Sequence, residues 1–362
     1  MKKELKNIIV IAVFAVFVAI FLMGSVIAPD KGISYAERRE LRQRPEFSFE
    51  KIWNGEYFEE LEKYFLDQFW QRDWFRVIKA LASGNVFLKK DNNGVYVLDG
   101  KIYKLDYRTN EGNIQRFAKV LENIKHEYLE GCDVLYAVVP DKNYFTAKQN
   151  GYPALDYGKL LYTMQSNMSA GYIDLFGALA LGDYYGTDLY WRQDKIIGVA
   201  EKILQAFGAE TPNLEFEEHR LEGFAGSYYG QAALPLNKDD LIYLTNEILS
   251  ACVVRDGLTG DVLKMYDIDA FYNHVDGYDL FCGGPNPLVT IENPSGEGEL
   301  VIFRDSYASN LAPLLAMGYG KITLVDLRYM SSRMVGNFVE FGEGTDVLFL
   351  YGTQSVNSIV IN

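Results

Sequence analysis

Residues Glu299–Asp326 read ELVIFRDSYASNLAPLLAMGYGKITLVD, and this stretch decides the fold. Leu300, Val301, Ile302 and Phe303 form an unbroken apolar run, the pattern of a strand covered on both faces. Arg304-Asp305-Ser306 interrupts it. Leu311, Leu314, Leu315 and Met317 then recur on one side of a helix, which Gly318 and Gly320 end, and Ile322–Val325 reads as the next buried strand. A strand–turn–helix–strand unit of this kind belongs to an open α/β sheet. Ligands in such sheets sit at the carboxyl ends of the strands, beside helix N-termini with free backbone N–H groups. Ser306 stands at that place, as a candidate nucleophile or as an ordinary helix N-cap.

Composition narrows the rest. A formal charge of −14 argues against nucleic acid, whose binders present basic surface. Cys132, Cys252 and Cys282 match no zinc spacing, and their odd number supplies no disulfide framework. His126, His219 and His274 include no paired spacing for a metal, so neither metal nor cofactor is expected.

Lys2, Lys3 and Lys6 precede Ile8–Ala28, a run without a charge. About 20 such residues span a bilayer. A cleaved signal peptide is the alternative, with Val26-x-Ala28 as the cleavage motif, but Pro29 follows and the run is long. The expected organisation is a cytoplasmic N-terminus at 1–7, a transmembrane anchor at 8–28, a stalk and amphipathic helical segment at 29–90, and an α/β domain at 91–362. The soluble part is expected to be extracytoplasmic, although Arg38, Arg39, Arg42 and Arg44 nearly balance the positive-inside rule.

Helical periodicity runs through Glu50–Leu81, Ile114–Leu129, Leu155–Met168, Lys195–Phe207 and Ser331–Phe341. Val95–Leu98 and Lys101–Tyr103 flank Asp99-Gly100, a hairpin signal. Val134–Val139, Val262–Tyr266 and Asp346–Tyr351 read as strands, and Ile173–Leu175 as a short strand or turn. Gly182–Trp191 reads as an aromatic loop and Cys282–Pro287 as a turn. Residues 215–256 give no clear pattern beyond a strand near Tyr243. The alternation predicts a mostly parallel sheet with covering helices.

Four stretches then combine: Arg304-Asp305-Ser306, Thr187-Asp188-Leu189-Tyr190-Trp191, Val325-Asp326-Leu327-Arg328-Tyr329, and EELEKYFLDQFWQRD at Glu59–Asp73. In this order, with the N-terminal apolar run, the chain resembles the DHHW protein family from about Glu37 to its end. That family is similar to the SGNH-hydrolase-like domains of alginate O-acetylation proteins. The resemblance implies a three-layer SGNH-like fold. It also implies a serine site for acetyl groups on extracytoplasmic polysaccharide, with a membrane-bound acyltransferase as a possible partner. It assigns Ser306 as nucleophile, Asp188 as the acid of an Asp-x-His-Trp motif, Trp191 as its tryptophan and Arg328 as an oxyanion-side arginine.

Tyr190 occupies the motif's histidine position. Imidazole accepts the serine proton near pH 7, whereas a phenol with a pKa of about 10 is neutral there. Losing the base of a serine triad costs about 10⁶ in turnover. The residues therefore allow a catalytically impaired relative, an active O-acetyltransferase or esterase with another base such as His274, or a non-catalytic glycan-binding or scaffold protein. Asn286 is a weaker oxyanion candidate, with a turn role as the alternative. Asp188 also fits turn chemistry. Tyr190 and Trp191 also fit core packing or a platform for a sugar ring. Arg304 stands where SGNH hydrolases carry Gly, which raises the question of whether that position needs φ > 0.

Overall fold

The computed structural model describes residues 2–209 and 215–361. Its centre is an eight-stranded sheet: β1 (Asp133–Val139), β2 (Gly171–Ile173), β3 (Val253–Asp256), β4 (Val262–Leu263), β5 (Leu288–Glu292), β6 (Glu299–Arg304), β7 (Lys321–Val325) and β8 (Asp346–Gly352). The spatial order is β4-β3-β5-β7-β6-β8-β1-β2. The strands from β7 to β2 pair in parallel, while β5, β3 and β4 extend that edge antiparallel.

Strand alternation sends side chains into two cores. Leu300, Ile302, Ala137, Val139, Leu348 and Leu350 enter one. Val301, Phe303, Val134, Tyr136, Val347 and Phe349 enter the other. A strand covered on both sides must be apolar at every position, which is why the runs are continuous rather than alternating. Besides short helices such as Lys142–Thr146 and Ser227–Ala232, the helices used below are α1 (Lys2–Ile27), α2 (Phe49–Trp53), α3 (Glu56–Gln68), α4 (Arg72–Leu81), α5 (Glu111–Tyr128), α6 (Tyr157–Asn167), α7 (Ile197–Phe207), α8 (Tyr307–Leu315) and α9 (Thr353–Ser358). Helices α7 and α8 cover the first face, and α5 and α6 the second. The result is the three-layer α/β arrangement.

Several boundaries differ from the pattern reading. Glu50–Leu81 is three helices, because Asn54-Gly55 and Phe69–Gln71 leave helical geometry; Gly55 has φ 84° and Gln71 φ 62°. Ser331–Phe341 carries only a 3₁₀ segment at Ser332–Asn337. The strand expected at Val262–Tyr266 stops at Leu263, and Tyr266 makes an isolated bridge to Phe281. Residues 215–256 resolve into an antiparallel hairpin, Glu217–Phe224 with Asp239–Thr245, followed by β3. Asp99 and Gly100 both take positive φ, as the hairpin signal demands.

Helix α1 is long and apolar enough to cross a membrane, a property that signal sequences share. The segment after it carries contacts of its own: Arg38 is almost wholly buried and reaches into the domain. Because Ile302 is fully enclosed, Ile302→Ala should cost about 2–5 kcal/mol through lost transfer energy and a residual cavity. The check is a lowered urea midpoint with an unchanged denaturant slope.

Candidate active site at the serine turn

Strand β6 ends at Arg304, which keeps strand geometry, so this position does not need the freedom of glycine. Its buried guanidinium donates to the Ser309 hydroxyl at 2.8 Å and reaches the Gly284 and Asn286 carbonyls at 3.5 and 3.4 Å. Asp305 is also buried. One carboxylate oxygen accepts the Tyr307 N–H at 3.0 Å; the other accepts the Gly352 N–H at 2.8 Å and the Ser355 hydroxyl at 2.5 Å. Burial pushes its carboxyl up, opposed by the charge of Arg328 and by these donors. Ser306 follows at the N-cap position of α8, half-buried, with φ −69° and ψ −10°. Its hydroxyl makes no capping bond. The ordinary N-cap bond is not made: the Ala308 and Ser309 N–H groups that a capping hydroxyl would take turn to the Asp305 and Ser306 carbonyls.

The Ser306 Oγ instead accepts from the Arg328 guanidinium at 3.1 Å. Asp326 holds that guanidinium in a two-pronged pair at 2.8 and 2.5 Å. Burial works against the Arg328 charge, but the bonds to Asp326 and the charge of Asp305 raise its pKa overall. The arginine stays cationic in a fixed pose, one nitrogen at the serine oxygen. Tyr190 faces the same hydroxyl. Its ring stacks on Tyr278 at 4.1 Å and meets Tyr307 edge-on at 5.2 Å. Burial pushes the phenol well above its ordinary value, the Asp276 and Asp188 charges add to this, and the interaction with Ser306 opposes it. It is a neutral phenol at every physiological pH.

Asp188 makes no hydrogen bond to Ser306 or to the Tyr190 hydroxyl. It is fully enclosed, with both oxygens in use. One accepts the Leu189 N–H at 2.6 Å and the Ser227 hydroxyl at 2.8 Å. The other accepts Arg38 at 3.0 Å and the Ser227 N–H at 3.1 Å. Arg38 also pairs with Asp276 at 2.8 Å. The link from acid to base that a triad needs is thus absent, and an arginine from the segment read as a stalk stands in its place.

Trp191 is part of the core. Its indole N–H donates to the Tyr307 carbonyl at 3.0 Å and to the Asn310 side chain at 2.7 Å; Asn310 returns a bond to the Trp191 carbonyl at 2.9 Å. Gln193 ties Asn310 to Leu244. Asp239 receives the Gly186 and Thr187 N–H groups. At Gly226 an added Cβ would stand 2.3 Å from the Thr187 carbonyl, so only glycine lets these two chain segments meet. Lys142 donates to the Tyr185 and Gly186 carbonyls at 3.0 and 3.1 Å. Burial brings its ammonium down to about 7, with Asp188 and Asp239 opposing. The aromatic loop is therefore a clamped platform.

Two candidates fall away from the serine. His274 is exposed and faces Asp279 at 3.6 Å, with no hydrogen bond to Ser306. Asn286 donates to the Gly283 carbonyl at 2.7 Å and holds the turn that Cys282, Gly283 and Gly284 make with positive φ. It touches the serine turn only through Arg304. Sequence reasoning missed Arg38, Ser227, Asn310 and Tyr278; their partners lie tens to more than a hundred residues away, and no local pattern marks them. Asp326 was within reach, two residues before Arg328 at a strand end. Among the described residues, no group of three His, Cys, Asp or Glu side chains could hold a metal ion.

Comparison with solved structures places this architecture. A DHHW family protein from Eubacterium siraeum superposes with a TM-score of 0.57 at 19% identity, covering 74% of this chain and 93% of that one. The chain has a DHHW-type fold. PatB1 from Bacillus cereus, solved with a sulfonyl adduct, superposes with a TM-score of 0.56 at 15% identity, over 73% of this chain and 97% of PatB1. No protein-family profile and no curated protein matches the sequence. The DHHW-type sheet thus carries the serine turn, and the SGNH-like three-layer expectation stands as the fold.

Asp276 provides a test of the Arg38 junction. Burial pushes its carboxyl up to about 6, with Arg38 opposing and Asp188 reinforcing. A carboxyl raised on folding contributes stability that is full below about 3.9 and is lost as pH rises through 6. Between pH 4 and pH 6, the melting temperature of Asp276→Asn should therefore rise relative to that of the wild type. Water at the partly exposed carboxylate reduces the amplitude. A constant difference across that window would mean that Asp276 titrates normally.

Proposed function

We propose that this chain is a membrane-anchored, extracytoplasmic protein of polysaccharide O-acetylation whose serine site holds acyl groups but turns them over poorly. One observation carries the reading: Ser306 faces a cation and a phenol, while the acid that would orient a base is enclosed by Arg38. Acyl transfer needs a group to take the serine proton as attack begins. A phenol whose pKa is raised by burial does not supply it. Arg328 still has the pose to stabilise negative charge on an acyl oxygen, so the binding half of the chemistry survives. The polysaccharide, and a membrane-bound acyltransferase as donor-side partner, follow from the resemblance to alginate O-acetylation proteins.

An active O-acetyltransferase or esterase is the second reading. It is favoured by the half-exposed, uncapped hydroxyl of Ser306 and by the sulfonyl adduct of PatB1. Hydrolysis of 4-nitrophenyl acetate separates the two. Wild type should run near background, and Ser306→Ala should match it. Tyr190→His alone should gain little, because Asp188 remains paired. Tyr190→His with Arg38→Ala takes the arginine off Asp188, which keeps its Ser227 and Leu189 bonds, and should raise the rate by about 10²–10⁴, the worth of a positioned general base. Rapid wild-type turnover that Ser306→Ala abolishes would remove the impaired-site reading. A sulfonyl fluoride should modify Ser306 slowly, detected by peptide mass spectrometry and absent in Ser306→Ala.

A further inference from the structure

Helices α2–α4 are amphipathic in the reverse sense for a water-soluble domain. A surface helix normally turns its apolar stripe inward. Here a set of polar side chains docks on the protein, while Glu59, Glu62, Lys63 and Asp73 stay exposed beside the apolar residues. Asp67 of α3 takes Arg39 in a two-pronged pair at 2.8 and 2.6 Å, and Arg72 and Arg76 of α4 reach Glu37 at 2.5 and 3.2 Å. The apolar faces point outward: Phe58, Phe65 and Leu66 on α3, and Trp74, Ile78 and Leu81 on α4. Trp53 ends α2 at 94% exposure, and Val86-Phe87-Leu88 follow α4, with Leu88 at 80%.

This outer surface is continuous with α1. Phe47 meets Phe49 at 5.4 Å and Tyr57 at 5.9 Å, and Tyr57 meets Phe58 at 5.9 Å. Phe58, Leu61, Phe65, Leu66 and Phe69 line one largely apolar groove, with Glu62 among them. Phe69 stacks on Phe21 of α1 at 5.9 Å, and Phe75 meets Phe21 at 5.1 Å. The Trp70 N–H donates to the Ser25 hydroxyl at 3.0 Å, and a Cβ at Gly24 would stand 2.6 Å from the Trp70 ring. The helix that is long and apolar enough to cross a membrane is therefore fixed at its carboxyl end to the aromatic surface.

We propose that α2–α4 and residues 86–88 form a collar that lies in the lipid interface beside the span of α1. The occupant is the bilayer, at the depth where Trp and Phe side chains accumulate. Apolar area drives the contact rather than charge, since Glu46–Lys90 carries eight acidic and seven basic residues. The collar sets the height and tilt of the domain, and with them the reach of the Ser306 site from the membrane. This extends the anchor part of the proposed function and does not depend on its chemistry.

The test uses the full chain in phosphatidylcholine nanodiscs whose acyl chains carry bromine close to the headgroups. Trp70→Phe/Trp74→Phe leaves Trp53 and the enclosed Trp191; adding Trp53→Phe leaves Trp191 as background. With Trp53 some 5–10 Å deep, its emission should fall at least about twofold in brominated discs, independently of salt. The triple variant should show no quenching. Two outcomes overturn the collar but leave the anchor: Trp53 unquenched and open to aqueous iodide, or unquenched and shielded within a larger detergent-solubilised assembly. Failure of the chain to co-purify with discs overturns both.

Discussion

One buried carboxylate holds the centre of the molecule in register. Asp305 stands where β6, β8, α8 and α9 converge, and its oxygens gather donors from three of those elements. A buried carboxyl held by three donors gives rigidity, because any displacement leaves it unpaired in a medium that solvates poorly. The serine turn takes its geometry from this point. Ser306 is spared the capping role that its position would normally give it, and its hydroxyl is left to face outward toward Arg328.

Two arginine–carboxylate pairs then set the character of the site in opposite ways. Arg328 and Asp326 come from one strand end, and the guanidinium Nη2 that meets Asp326 also donates to the serine oxygen. Arg38 comes from far upstream, and its pair with Asp188 closes the acid off. The chemistry of the two bonds is the same. What differs is whether the pair also reaches the serine hydroxyl. Tyr190 adds a neutral phenol, stacked on Tyr278 and edge-on to Tyr307.

Much of the central sheet was legible in the chain. The runs at Val134–Val139, Leu300–Phe303, Ile322–Val325 and Asp346–Tyr351 are apolar at almost every position because both faces are covered, and local composition records that directly. The antiparallel edge was less legible. Leu288–Glu292 is a five-residue strand held between Pro287 and Pro294, too short for periodicity to mark. The helices of Glu50–Leu81 were visible as periodic, but periodicity does not say which face meets the protein. Only the pairs of Arg39, Arg72 and Arg76 reveal that the polar side does.

By itself the sequence determined the strand–turn–helix unit, the place of Ser306 at its turn, and the buried strand that ends at Val325 just before Arg328. These are local facts, carried by residues next to one another or by a motif of fixed spacing. Tertiary structure alone decided that Asp188 is enclosed, that Trp191 and Asn310 clamp the loop to α8, that His274 faces Asp279 and that Asn286 holds its own turn. Each of those outcomes depends on which distant group reaches a buried polar atom first. A one-dimensional pattern records what a residue can bond, and only the packed chain selects its partner.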